Sequence, residues 1–422
     1  MQPVITLLFF IYYNATLLKQ NDTVRILFTS QAQDGHFNPL VPLARGLAEA
    51  GHEVAFACAP SYCTKVQALG FHCFSAGMDA AVSEWPRLFP QLNALEAQER
   101  TAWVRRYVFA GATARQIVPD LMELAGTWSP DVFVREKSEF GACVAAEVLG
   151  LPHAVVQVGA FDAYSPKELL GEELSALRAT YSLPADPELE MLHRYLHLSF
   201  VPPSFQNPDV PMPTTTHHLR PVFFDTSGDE HLPAWVVNLP KRPTVYVTLG
   251  TIANNKTHIF ASIIEALRGE PLNLIVTVGR DQDPAQFGQQ PPNVHIERYI
   301  PQTLIFPYCD LAIAHGGFST VLTALGFGLP LVVIPLLADQ PVNADRCEAL
   351  GVGRAIAPGD LTPESVRDTV NEVLEVASYR HNARRVQQEM RALPGLERAV
   401  ELLERLAADR IPLTAQPPQS EQ

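Results

Sequence analysis

Charge is the first thing this sequence is short of. Only 18% of its 422 residues are charged, below the roughly 25% of an ordinary soluble domain. Positive charge is the scarcer sign, with 31 Lys and Arg against 45 Asp and Glu, a formal −14. A nucleic-acid partner needs a basic face, so that class is excluded, whereas a local pocket for a small anion is not. Cysteine is sparse as well. The six (Cys58, Cys63, Cys73, Cys143, Cys309, Cys347) contain no Cys-x-x-Cys pair and no zinc-site spacing. They read as reduced thiols of a cytoplasmic protein. No GxxxxGK[ST] loop is present and no GxGxxG opens an α/β unit, which removes the two commonest nucleotide fingerprints. The apolar N-terminal stretch VITLLFFIYYNATLL (Val4 to Leu18) is shorter than the ~20 residues of a spanning helix. It also lacks the basic flank and cleavage site of a signal peptide. Residues 1–23 are therefore expected to be a dispensable extension, ahead of an anchor or a signal, and no membrane partner is expected.

What is present is apolar patterning on a large scale. With 47% hydrophobic residues over 422 positions, the chain should fold as two domains. From Val24, short apolar runs alternate with helical patterns: VRILFTS, a helix from about Pro39 to Ala50 ended by Gly51, EVAFAC, DVFVR, HAVVQV. A long helical segment intervenes around Ala94 to Ala125, and VPPSFQNPDVPMPTTTHHLRPV from Val201 reads as an extended connection. The alternation then restarts with TVYVTLG, a helix at about 257–268, LNLIVTVG, VHIERYI, DLAIA, a helix at about 317–327, and LVVIP. Such alternation means parallel sheets covered by helices. The expected layout is 24–215 for a first Rossmann-like half, 216–240 for a linker and 241–395 for a second half. A C-terminal helix at 396–410 and a disordered tail at 411–422 complete it.

In open α/β sheets, ligands sit beyond the carboxyl ends of strands. Two loops there carry chemistry: SQAQDGHFNP with His36, and HGGFST with His315, Gly317, Ser319 and Thr320. The second should open a helix, whose unpaired N–H groups and dipole attract phosphate. Around it stand TLGT with Gly250 and Thr251, YIPQ with Tyr299 and Gln302, and ADQ with Asp339 and Gln340. A carboxylate beside a carboxamide can bind several sugar hydroxyls, although Asp339 is also a good helix N-cap candidate. Each loop alone is a weak signal.

Together, the motifs GHFNPLVPLARGLAEAGHEV (35–54), RPTVYVTLGT (242–251), RYIPQ (298–302), AHGGFSTVLTALGFGLPLVVIP (314–335) and ADQPVNADRCEALGVG (338–353) are similar to family 1 glycosyltransferases of the GT-B fold. The likeness runs from Val24 to about Leu403 and is strongest to the bacterial branch that decorates macrolides, enediynes and related natural products. It implies two facing Rossmann-like domains with a cleft between them, and an inverting, metal-independent transfer from a UDP- or dTDP-sugar to a hydroxyl of a hydrophobic small molecule. No other cofactor is implied, and a homodimer is compatible with the sequence without being required by it. By the same resemblance His36 is the base, and His315, Gly317, Ser319, Thr320, Gly250 and Thr251 hold the diphosphate. Tyr299 stacks on the nucleotide base with Gln302 near the nucleoside, and Asp339 and Gln340 hold the donor sugar.

Two departures stand out. Relatives usually have an Asp to orient the base, where this chain offers Glu136 or Glu139 in VREKSEFG and no Asp; either could orient His36, or neither, with Glu136 the candidate set beside His36. Many relatives also have Gly where this chain has Ser319. Phe74, Trp85, Phe89, Trp103 and Phe161 are candidates to line the acceptor cleft, with core packing as their plainer reading. The rival functions are a nucleotide-sugar epimerase and an idle accessory protein that binds an aglycone on the same fold.

Overall fold

Among the described residues, thirteen parallel strands fall into two sheets because both halves repeat one grammar of apolar run, turn and amphipathic helix. The computed structural model describes residues 23–159, 166–225, 230–250 and 256–415. In the first sheet the strands are β1 (Arg25–Thr29), β2 (Glu53–Cys58), β3 (His72–Ser75), β4 (Val132–Glu136), β5 (His153–Gln157), β6 (Leu196–Ser199) and β7 (Thr216–His218). Their spatial order is β3-β2-β1-β4-β5-β6-β7. The second sheet contains β8 (Thr244–Thr248), β9 (Asn273–Thr277), β10 (Val294–Glu297), β11 (Leu311–Ala314), β12 (Leu331–Val333) and β13 (Gly353–Ala355). Their order is β10-β9-β8-β11-β12-β13. Strands β4, β5, β8 and β9 are buried along their whole length, as parallel strands covered on both faces must be.

In both sheets the strand order reverses once, between β1 and β4 and between β8 and β11. A crevice opens beyond the carboxyl ends at such a reversal. The loop after β1 carries His36 and the end of β4 carries Glu136; the loops after β8 and β11 carry Gly250 and His315. Topology therefore delivers each pair of motifs to one place.

The chain changes halves more often than one linker at 216–240 allows. Val201 and Phe205 pack into the core of the second half beside Val236 and Tyr246, and Arg346 holds the carbonyls of Ser204 and Phe205 at 2.8 and 3.2 Å. The chain then returns to supply β7, paired with β6. After the second half, the helix Leu396–Asp409 crosses back. Its Ala399, Leu402, Leu403 and Leu406 are buried in the first-half core. Gly46 lets this helix approach: a Cβ there would stand 2.8 Å from Leu396 Cδ2. Residues 411–415, expected in a disordered tail, are bonded instead. Leu413 N–H donates to Tyr195 C=O at 2.8 Å and Ala415 N–H to Thr214 C=O at 2.9 Å.

The long segment expected as one helix has three parts. An α-helical start at Ala97–Trp103 leads into a π-helical run, Val104–Thr113, and then into the α-helix Ala114–Trp128. Cysteine differs from expectation too. Cys63 and Cys73 form a disulfide, because the helix Pro60–Ala68 packs on β3 and sets their Cα atoms 5.5 Å apart. Cys58, Cys143, Cys309 and Cys347 are free and buried. Among the described residues, no helix is long and apolar enough to cross a membrane.

Candidate active site

Beyond β1 the chain turns at Gln33, whose carbonyl accepts the N–H groups of both His36 and Phe37 at 3.0 Å. The resulting short helix, Asp34–Phe37, drives Phe37 into the core against Phe56 and Tyr62. His36 stays half-buried at the mouth. Register brings its partner: Thr29 pairs with Arg135, so Glu136 lies one residue further on, level with the start of the His36 loop. His36 Nδ1 stands 3.1 Å from Glu136 Oε1, with the imidazole 22% exposed and the carboxylate fully buried. The approach brings charges together without the alignment of a hydrogen bond, a gap that substrate binding commonly closes.

Glu136 survives burial as an anion because it is held. Ser138 N–H donates to Oε2 at 2.7 Å and Gln31 N–H lies 3.4 Å from Oε1. Burial pushes its pKa up, but His36 and these amides outweigh that and the net shift is downward. For His36, burial pulls the pKa down, yet the Glu136 charge outweighs it and the net shift is above the ordinary 6.5. Lys137 opposes the shift and Asp339, from the other half, adds to it. Arg135 is 1% exposed and donates to the carbonyls of Glu136, Lys137, Glu139 and Leu192, which fixes the loop.

The alternative acid has a different task. Glu139 accepts from Thr29 Oγ1 at 2.6 Å and from the N–H groups of Gly141 and Ala142. Those amides begin the helix Gly141–Leu149, so Glu139 serves the helix terminus, and its burial pushes its pKa up.

In the second half the helix Phe318–Gly326 starts directly after the glycine turn, with Gly317 as its cap. His315 lies between two glycines. A Cβ on Gly250 would stand 2.5 Å from His315 Cε1, and one on Gly317 would stand 2.4 Å from its Nε2. Gly250 is also left-handed at φ +72°, so glycine is required there on two counts. Among the described residues no carboxylate supports His315, and burial pulls its pKa down to about 4. Ser319 is exposed, while Thr320 is buried and its Oγ1 accepts from Gln302 Nε2 at 3.1 Å. Thr251 and Phe161 lie outside the described residues.

Asp339 is exposed and makes no side-chain cap to the helix Gln340–Ala349. Its Oδ2 accepts from Asn343 Nδ2 at 2.9 Å. Ala338, immediately before it, is left-handed at φ +57°, a strained state for a residue with a Cβ. Gln340 is buried, and its Oε1 accepts from the N–H groups of Leu336 and Leu337 at 2.7 and 2.9 Å. Toward a sugar, only the amide NH₂ of Gln340 remains to act, so the two residues are not equivalent. Tyr299 donates its hydroxyl to Asp225 C=O, and Arg280 covers its ring with Cζ 3.8 Å from the centroid. Sequence reasoning missed this arginine.

The two halves meet at Gly159. A Cβ there would stand 3.1 Å from Lys137 Nζ and 3.8 Å from Asp339 Oδ2, so Asp339 faces the loop that carries Glu136. A pocket on the first half is lined by Ser30, Gln31, Gly77, Met78, Thr113 and Ile117, among others. Of the expected lining residues, Phe74, Trp85, Phe89 and Trp103 belong to the adjoining hydrophobic core, their plainer reading.

Two family models match the chain, both described as erythromycin biosynthesis protein CIII-like: the N-terminal domain over residues 45–250 and the C-terminal domain over 264–406. The 10-deoxymethynolide desosaminyltransferase of Streptomyces venezuelae is 30% identical, with 91% of this chain and 97% of that protein covered. The 4'-demethylrebeccamycin synthase of Lentzea aerocolonigenes is 28% identical over 90% of this chain and 99% of its own. Among solved structures, the glycosyltransferase SnogD from Streptomyces nogalater matches at 26% identity and a TM-score of 0.76, covering 92% of this chain and all of that one. The Streptomyces sp. SF2575 glycosyltransferase SsfS6, complexed with thymidine diphosphate, matches at 25% identity and a TM-score of 0.71, covering 90% of this chain and 99% of that one.

Proposed function

The chain belongs to the erythromycin biosynthesis protein CIII-like family of glycosyltransferases, and from that premise we propose that it moves a sugar from a nucleoside diphosphate to a hydroxyl of a hydrophobic aglycone, such as a polyketide, with inversion. The observation that carries this reading is the His36–Glu136 pair at one switch point, facing Asp339 from the other half.

In this reading His36 is the base. With Nδ1 toward Glu136, the neutral imidazole keeps its proton there and offers the Nε2 lone pair to the acceptor. The acceptor oxygen attacks the anomeric carbon as its proton passes to Nε2. The bond from that carbon to the diphosphate breaks, and its electron pair leaves with the diphosphate. The transition state resembles an oxocarbenium ion. Negative charge growing on the diphosphate meets the N-terminus of the helix Phe318–Gly326, where N–H groups and dipole favour an anion. His315, neutral by burial, serves there as a hydrogen-bonding group rather than a cation. Asp339 accepts from the sugar's hydroxyls, and the NH₂ of Gln340 donates to them. Thr251 and the stacking role of Tyr299 belong to the same proposal.

For the donor, the thymidine diphosphate complex of the relative SsfS6 supports a dTDP-sugar as the first to try, ahead of UDP-sugars. We further propose a metal-free reaction, because the diphosphate site draws on backbone amides, and a cytoplasmic setting for it. Mass spectrometry of the pure protein with mixed sugar nucleotides and aglycones, with and without EDTA, tests this. Glycosylated product at an EDTA-insensitive rate is expected. Free sugar or epimerised nucleotide without acceptor product would reject the transfer. Loss in EDTA restored by Mg²⁺ would reject the metal-free site.

A further inference from the structure

The π-helical run Val104–Thr113 is the feature that the mechanism leaves unused. π-Helix makes up well under 1% of protein structure and mostly appears as single turns, often at functional sites. Ten consecutive residues adopt it here; of these, Phe109 meets the His36 ring and Thr113 lines the pocket on the first half. We propose that this run positions the base: the Phe109 ring and the Thr113 hydroxyl hold His36 and Glu136 in register. The inference rests on reading His36 as the base.

The contacts form a closed circuit. Phe109 is 7% exposed and meets the His36 ring edge-on, with centroids 5.7 Å apart at 72°. Trp85 backs it on another side at 5.8 Å. The Phe109 carbonyl accepts the Ala114 N–H, the i+5 bond of a π turn, and also the Thr113 hydroxyl at 2.9 Å. Thr113 Oγ1 accepts in turn from Gln31 Nε2 at 3.2 Å. That nitrogen also reaches Ser138 C=O at 3.0 Å, and Ser138 N–H holds Glu136 Oε2. Gln31 N–H faces Glu136 Oε1, the oxygen that faces His36. From the imidazole the path runs through Phe109, Thr113, Gln31 and Glu136 back to the imidazole.

The i+5 bonding widens the turn at this point, where Phe109 and Thr113 meet the loop after β1. Gln31 and Thr113 also line the pocket on the first half with Met78 and Ile117. The charged groups facing His36 are Glu136 and Lys137 from the end of β4 and Asp339 from the second half, and the circuit sets the distance of the first.

Titration of His36 by NMR, on the full-length protein with ¹⁵N-labelled histidine, needs no known acceptor. Loosening the circuit should let the imidazole drift from Glu136. In Thr113→Val and in Phe109→Leu the His36 pKa should fall by about half a unit, the equivalent of part of one hydrogen bond. Thr113→Ser, which keeps the hydroxyl, should titrate as the wild type does. Thermal melting of each variant verifies folding; if Phe109→Leu does not fold, Thr113→Val alone decides. An unchanged His36 titration in a folded Thr113→Val protein overturns the positioning role. Failure of the base reading looks different: His36→Ala would then turn over normally, whatever the titrations show.

Discussion

Two histidines stand at the switch points of the two sheets, and they are held in opposite states. His36 ends the first half's loop against a buried carboxylate, which lifts its pKa above 6.5 despite partial burial. His315 follows β11, on the other side of the second sheet's reversal, between two glycines and, among the described residues, with no carboxylate, and burial takes it down to about 4. The residue type is the same and the fold position is comparable. Neighbours decide the rest. A group that must take a proton benefits from a carboxylate that stabilises its charged form, whereas a group beside a departing diphosphate can donate a hydrogen bond while neutral.

If the halves divide the labour this way, substitutions should separate turnover from donor binding. The largest effect belongs to His36→Ala. General-base assistance contributes about 10²–10⁴-fold, so kcat should fall by that order while calorimetry shows unchanged affinity for the nucleoside diphosphate. Near-normal rates with alcohol acceptors would remove His36 from the mechanism. Loss of donor binding in a folded protein would break the division itself.

Asp339→Ala should come next. A hydrogen bond to a charged group is worth about 1.5–3 kcal/mol, so the transfer rate should fall about ten- to hundredfold. Affinity for the bare nucleoside diphosphate should stay as it was. Equal losses in both would make Asp339 a structural residue that orders Asn343.

Gly317→Ala should act on the other side of the comparison. The new methyl would enter the space of the His315 ring, and overpacking of this kind costs about 1–3 kcal/mol. Donor affinity should weaken by about tenfold, while the pH dependence of turnover keeps its shape. A variant with weakened donor binding and a moved pH limb would mean that the two sites are not separate.

Much of this arrangement was legible beforehand, for physical reasons. Long apolar runs such as EVAFAC and DLAIA can only be buried strands, and β2 and β11 stand there. The unread strands are β3, β6, β7 and β13, with sequences HCFS, LHLS, THH and GRA. These are short and partly polar, and they become strands by pairing with a neighbour already in place. A helical pattern around residue 104 does not distinguish i+4 from i+5 bonding, so the π-helical run was invisible. The choice between Glu136 and Glu139 was likewise open in VREKSEFG. Register sets Glu136, the residue next after the Thr29–Arg135 pair, beside His36, while Glu139 is bonded to the start of the helix Gly141–Leu149. Gln340 was expected on the donor sugar and Tyr299 on the nucleotide base, with no other partners foreseen. One is half committed to backbone amides, and the other has Arg280 over its ring.

The measurement that bears most directly on the account is a paired one: the NMR titration of His36 and His315 set beside the pH dependence of kcat/KM. The acid limb of kcat/KM reports groups of the free enzyme. A base must be neutral to act, so activity should be lost as pH falls through the His36 pKa. The account predicts a limb above pH 6.5 that coincides with the His36 titration and vanishes in His36→Ala, with His315 unprotonated until about pH 4. A limb that follows His315, or a His36 that titrates at or below 6.5, would contradict it.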